Sequence, residues 1–351
     1  MNLGREISAA SRTSLATRRQ KSPSPALILV SLTLSCLHLR ARPQGVPKPT
    51  PAAASAEDKT FAKIESLVRT RDYEEAENRL ASAISRGTPP AHAYFRLGKI
   101  FLDHDEWQRA AAYLGKSLQA EDGNDQAHLL LGFADRELQQ PDWAEKEFAK
   151  AVGLNPRSDV NAYFAGQQLL IDMKFEAALP YLYDAVKLNP RNGLAYRALG
   201  MAQVHLGNYG LAESYYRKAI ETIDDSSSAD PGPFLDLGFI LLLGHDSAKV
   251  EEALKLAERA AKLRPNSGDT HYLVGKALMK MERVKEAVPE LELAAKLNPE
   301  DSKAHFQLAL AYGQLGEKEK ASDERQVLAK TKQRANQQGT ASGSVMPQTV
   351  Q

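Results

Sequence analysis

Cysteine is almost absent: the 351 residues contain one, Cys36. An intramolecular disulfide is therefore excluded, and so is a thiolate metal site of the usual four-ligand kind. The common catalytic motifs are missing too. There is no Gly-rich P-loop, no G-x-S-x-G elbow and no H-E-x-x-H. Net charge is close to zero, at +1, but unevenly spread. Residues 1–42 hold seven Lys and Arg against the single acid Glu6, which leaves 38 basic and 43 acidic side chains in residues 43–351, a net of −5. A mildly acidic body lacks the basic stripe that a nucleic-acid partner requires. The acid pairs Glu74-Glu75, Asp224-Asp225 and Glu251-Glu252 fall on helix starts or loops and read as solvated charge.

A bilayer-length apolar run is also lacking. The longest is Ala26-Leu-Ile-Leu-Val-Ser-Leu-Thr-Leu-Ser-Cys-Leu-His-Leu39, preceded by a basic leader. It is too short to span a membrane comfortably and suits the apolar region of an export signal, with Ala41 at the cleavage position. Leu39 is a poor small-residue partner for that cleavage, and Arg40 and Arg42 are unusual just after the run. Three readings of residues 1–42 therefore stand: a cleaved export signal, an uncleaved membrane anchor or organelle transit peptide, and a leader without function or a mis-called start. The first places the protein outside the cytoplasm, periplasmic or secreted. Thr33-Leu-Ser-Cys36 resembles a bacterial lipoprotein box, which would make Cys36 a lipidated N-terminus. Arg18-Arg19 reads as plain basic charge, because Lys21 and Ser22 stand where a twin-arginine signal wants apolar residues. Residues 43–56 form a Pro/Ala linker, and residues 334–351 a polar tail expected to be disordered.

What the chain has in abundance is repetition. Ala151-Val-Gly-Leu-Asn-Pro156 returns as Ala185-Val-Lys-Leu-Asn-Pro190, 34 residues on; Ala260-Ala-Lys-Leu-Arg-Pro265 and Ala294-Ala-Lys-Leu-Asn-Pro299 repeat the interval. Each phrase ends an amphipathic helix. Ala and Leu turn inward, and Pro stops the helix. Around them run Tyr94, Leu97, Gly98 and Phe101, then Ala110 and Leu114; later His128, Leu131 and Gly132, then Ala144, Phe148 and Ala151; and Tyr196, Leu199 and Gly200, then Ala212, Tyr216 and Ala219.

This order of large, Leu, Gly, aromatic, Ala, aromatic, Ala and Pro positions resembles the tetratricopeptide repeat. The resemblance covers residues 57–333 and implies an all-α fold, a right-handed α-solenoid of about eight antiparallel helix pairs. Units start near residues 57, 91, 125, 159, 193, 231, 268 and 302. Two intervals are enlarged, by Thr222–Pro231 and by Gly244–Val250. They read as tolerated insertions or as a hinge between a five-unit and a three-unit lobe. His128, His271 and His305 share one early-helix position, filled by Tyr94 and Tyr196 elsewhere, and read as packing residues. His271 and His305 would be neighbours in a stack. Neither a metal nor a cofactor is expected.

The resemblance implies further that first helices line a concave groove. Its positions here are Phe95 and Lys99; Leu129 and Phe133; Tyr163 and Gln167; Arg197 and Met201; Leu235 and Phe239; Tyr272 and Lys276; and Phe306. The Lys and Asn pattern with which some members clamp a C-terminal carboxylate is missing. A mostly apolar, aromatic lining suits the apolar face of a partner peptide or amphipathic helix. The expected function is a non-catalytic protein-binding scaffold. The alternative is an envelope lipoprotein that assists assembly of a membrane or secretion complex.

Overall fold

The computed structural model describes residues 56–223 and 230–342. The leader with Cys36, the linker before Ala56, the pair Asp224-Asp225 and residues 343–351 lie outside the described residues. The described residues form sixteen helices in eight consecutive pairs: α1 (Ala56–Arg69) and α2 (Tyr73–Ser85); α3 (Pro90–Asp103) and α4 (Trp107–Ala120); α5 (Asp125–Glu137) and α6 (Pro141–Leu154); α7 (Asp159–Ile171) and α8 (Phe175–Leu188); α9 (Gly193–His205) and α10 (Tyr209–Glu221); α11 (Gly232–Leu241) and α12 (Ser247–Leu263); α13 (Gly268–Lys280) and α14 (Val284–Leu297); α15 (Ser302–Leu315) and α16 (Lys318–Ser342). Each first helix packs on the second helix of its unit, which packs on the first helix of the next. This is an α-solenoid of helix pairs.

The crossing within a pair is set by small residues. A methyl group on Gly200 would stand 2.5 Å from the ring of Tyr216, and one on Gly166 would stand 2.7 Å from Leu182. Side chains this close to the opposite helix leave room only for hydrogen. The turn between the two helices repeats as well. Arg71, Asp105, Gln139, Met173, Gly207, Glu282 and Gly316 all adopt positive φ. After each, a backbone N–H reaches five residues back, as from Asp72 to the carbonyl of Leu67 and from Lys174 to that of Leu169. This is the Schellman closure of a helix end. The enlarged turn between α11 and α12 has no such residue.

The Leu-Asn-Pro phrase does more than stop a helix. Asn155 Nδ2 donates to Asp125 Oδ2 (3.0 Å), and Asn189 Nδ2 to Asp159 Oδ2 (2.8 Å). The end of the second helix is thus tied to the start of the first helix in its own unit. The apolar core falls into two clusters, one from Phe61 to Ala202 and one from Met201 to Ala321. Their seam lies in α9, which α10 separates from the first of the enlarged turns read as insertions or a hinge. Helix α16 runs through Ser342, past the boundary at residue 333. Its later residues, Ala329-Lys-Thr-Lys-Gln-Arg-Ala-Asn-Gln-Gln338, are largely good helix formers, so the helix continues beyond the array on local preference.

Candidate partner-binding surface

First helices of successive units touch one another, as in α1 with α3, α3 with α5, α7 with α9, α11 with α13 and α13 with α15. Second helices make no contact of comparable extent with each other. In a curved array the elements at the inner radius lie closer together, so the first helices form the concave side. The positions drawn from the repeat all lie on these helices.

Their exposure grades along the array. Phe95 is half-buried and Lys99 exposed on α3. In the central units the same positions are closed: Leu129, Phe133, Tyr163, Gln167, Arg197, Met201, Leu235, Phe239 and Tyr272 are all buried. At the far end the surface opens again, with Phe306 48% and Leu310 44% exposed. Position in the solenoid decides this. Among the described residues Tyr272 has a following unit to pack on and Phe306 has none.

The closed positions contact each other in two groups. Phe133 meets Phe164 edge-on, ring centroids 4.5 Å apart. The Arg136 guanidinium lies 4.9 Å from the Phe133 centroid and donates to Gln167 Oε1 (3.3 Å), while Gln167 Nε2 donates to the Tyr163 hydroxyl (2.9 Å). Burial pushes the Tyr163 phenol up to about 12. In the second group Phe239 and Tyr272 stack with centroids 6.0 Å apart, and Lys276 Nζ lies 5.4 and 5.8 Å from their centroids.

Arg197 has a different task from the one its position suggested. Its Nε donates to Asp236 Oδ2 (2.6 Å) and its Nη1 to Asp230 Oδ2 (3.0 Å). The guanidinium also fills the space over Gly232, where a methyl group would approach it to 2.3 Å. It is a buried tie between α9 and the start of α11. Burial drives the Asp236 carboxyl up, and the adjoining guanidinium opposes it.

The histidines are a second correction. They do not pair with one another; each pairs within its own unit. His128 Nδ1 lies 2.5 Å from Glu147 Oε2, and its Nε2 3.2 Å from the carbonyl of Asp122. His271 repeats this with Glu290 and the carbonyl of Pro265, and His305 with Glu324 and the carbonyl of Pro299. Each ring therefore fastens the second helix to the loop that precedes the first. The signal was in the sequence, since a Glu follows each of these histidines by 19 residues. Among the described residues no group of three or more His, Cys, Asp or Glu is arranged to hold a metal ion.

The comparisons agree with the helix-pair fold. The tetratricopeptide repeat profile matches residues 61–126, 173–231 and 272–333, more than half of the chain. Among curated proteins, anaphase-promoting complex subunit 3 of Schizosaccharomyces pombe is 25% identical over 187 residues, which is 53% of this chain and 27% of that protein. The chain thus spans about a quarter of that relative's length. Two solved structures share the fold. The Cut9-Hcn1 hetero-tetramer of the APC/C has a TM-score of 0.54 at 15% identity, over 82% of this chain and 53% of that one. PilF of Pseudomonas aeruginosa has a TM-score of 0.54 at 19% identity, over 61% of this chain and 95% of that one. With the glycine crossings, the helix-pair order and the profile in agreement, the chain belongs to the tetratricopeptide repeat family.

Proposed function

We propose that this protein is a non-catalytic scaffold that holds a partner protein on the concave side of its helix array, through an apolar peptide segment or amphipathic helix. The observation that carries the reading is the aromatic and apolar concave lining, exposed at Phe306 and Leu310 and continued inward by Tyr272 and Phe239. A partner helix anchors at the open end and loses little ordering entropy against a preformed wall. The curated relative is a subunit of a multi-protein complex, as its name states, which fits a scaffold role. The leader adds the reading that the chain works outside the cytoplasm, released or held at a membrane by residues 1–42. Among the described residues no helix is long and apolar enough to cross a membrane.

The test is cross-linking with mass spectrometry in cells, on the native protein and on a Phe306→Glu, Leu310→Glu variant. Cross-links from one partner to Lys99, Lys276 and Lys303, lost in the variant while the helical circular dichroism is kept, support the groove. Links confined to second-helix lysines such as Lys146 and Lys255 overturn it. The N-terminal peptide recovered in the same experiment decides between a cleaved leader, a retained one and lipidation at Cys36.

A further inference from the structure

On the concave side, Lys276 differs from the other cations of its neighbourhood. Lys280 Nζ donates to the carbonyl of Gly244 (2.7 Å), and Lys303 faces Asp301 Oδ2 at 3.7 Å. Among the described residues Lys276, which is half-buried, has no carboxylate within ion-pair distance and no hydrogen-bond acceptor. Its ammonium lies instead beside the rings of Phe239 and Tyr272, and Lys303 Nζ is 5.8 Å from the same Tyr272 centroid. Desolvation, with Lys280 and Lys303 adding like charge, lowers the amine to about 8. A half-buried cation set among other cations and left by its own protein without a counter-charge costs stability, and such a cost is kept where a ligand supplies the missing charge.

From this geometry we infer that the groove contains an acid-recognising station: the partner segment carries an Asp or Glu among its apolar residues, and that carboxylate meets Lys276 beside the Phe239 and Tyr272 rings. The inference rests on the groove reading above and narrows the partner's chemistry. The two stacked rings lie together beside the charge and supply an apolar surface next to it, so the carboxylate arrives with apolar neighbours rather than within an acidic run. Arg136 gives a weaker counterpart at the other end. It lies against Phe133 with the neutral Gln167 as its hydrogen-bond acceptor.

The test is selection of randomised short helical peptides, displayed on phage with no free C-terminus, against the full-length protein. The expected result is an apolar consensus containing one acidic position. Lys276→Gln should weaken the selected peptide about 10-fold or more, Lys276→Arg should retain it, and the peptide's own Glu→Gln analogue should bind wild type and Lys276→Gln alike. Circular dichroism of the Arg and Gln variants confirms that the fold is retained. An apolar consensus without an acidic position overturns the station and leaves the groove standing; this is also the outcome if a terminal carboxylate is the real ligand. Equal loss of acidic and neutral peptides in Lys276→Gln overturns the station in the same way. If no peptide is selected, or if selected peptides bind a Phe239→Ala variant unchanged, the groove and the station fall together.

Discussion

His128 and Glu147 form a buried pair, Nδ1 to Oε2 at 2.5 Å, that fastens α5 to α6. Both side chains are nearly inaccessible, at 2% and 8% exposed. In the matching pair of the seventh unit Glu290 is 35% exposed. Removing His128 strands a carboxylate away from water with Lys150 as its remaining partner at 3.4 Å. His128→Ala should therefore cost about 3 kcal/mol, and His271→Ala, whose acid can turn to solvent, at most about 1 kcal/mol. Urea unfolding followed by circular dichroism measures both, and equal costs would show that burial does not set the difference.

Glycine substitutions should split by sign. At Gly200 an added methyl meets the Tyr216 ring at 2.5 Å, so Gly200→Ala should destabilise by about 1–3 kcal/mol. Gly153 sits within α6 with nothing inside 4 Å of the added methyl. Gly153→Ala should stabilise by about 0.5–1 kcal/mol through helix preference alone. Thermal midpoints of the two variants decide it.

The hydroxyl of Tyr216 is buried and has no hydrogen-bond partner among the described residues. The ring is needed to fill the space over Gly200, but the oxygen is not. Tyr216→Phe should leave stability unchanged or raise it by up to about 1 kcal/mol, an unusual outcome for truncating a fully buried side chain. A clear loss in urea unfolding would mean that the oxygen has a partner after all.

Lys276 gives a pH signature. Its folded value, about 8, lies below the 10.5 of the unfolded chain. Between those values the unfolded chain holds the extra proton, so this group's contribution to stability rises with pH from about 8 to 10.5. Below pH 8 the folded protein carries the full cost of the crowded charge. Lys276→Met should thus be more stable than wild type at pH 7, by no more than about 2 kcal/mol, and the gap should close toward pH 10. A gap that does not vary with pH would assign it to packing.

The helix pairs were legible in the sequence because their determinants are local. Gly, Ala and Leu at crossings recur every 34 residues except across the two enlarged turns, whatever lies around them. The state of the concave positions was less legible. Arg197 reads as a groove residue by its place in the unit, and what occupies it is Asp230 and Asp236, brought in by the register of an enlarged joint. Tyr272 and Phe306 occupy like positions on their helices, yet the first is buried and the second half exposed, because among the described residues only the first has a following unit packed on it. The interhelix turns were hidden for another reason: Arg, Asp, Gln, Met and Glu all take the left-handed conformation there, so no residue type marks it.

That turn has a consequence of its own. Arg71, Asp105, Gln139, Met173 and Glu282 hold φ near +60° with a Cβ in the way, while Gly207 and Gly316 hold the same angle freely. Each of the five side chains forfeits roughly 1 kcal/mol that glycine would return. Distant units share no contacts, so such exchanges should add. Evolution or an engineer therefore has five separate notches on which to set the melting temperature, none of them on the concave face.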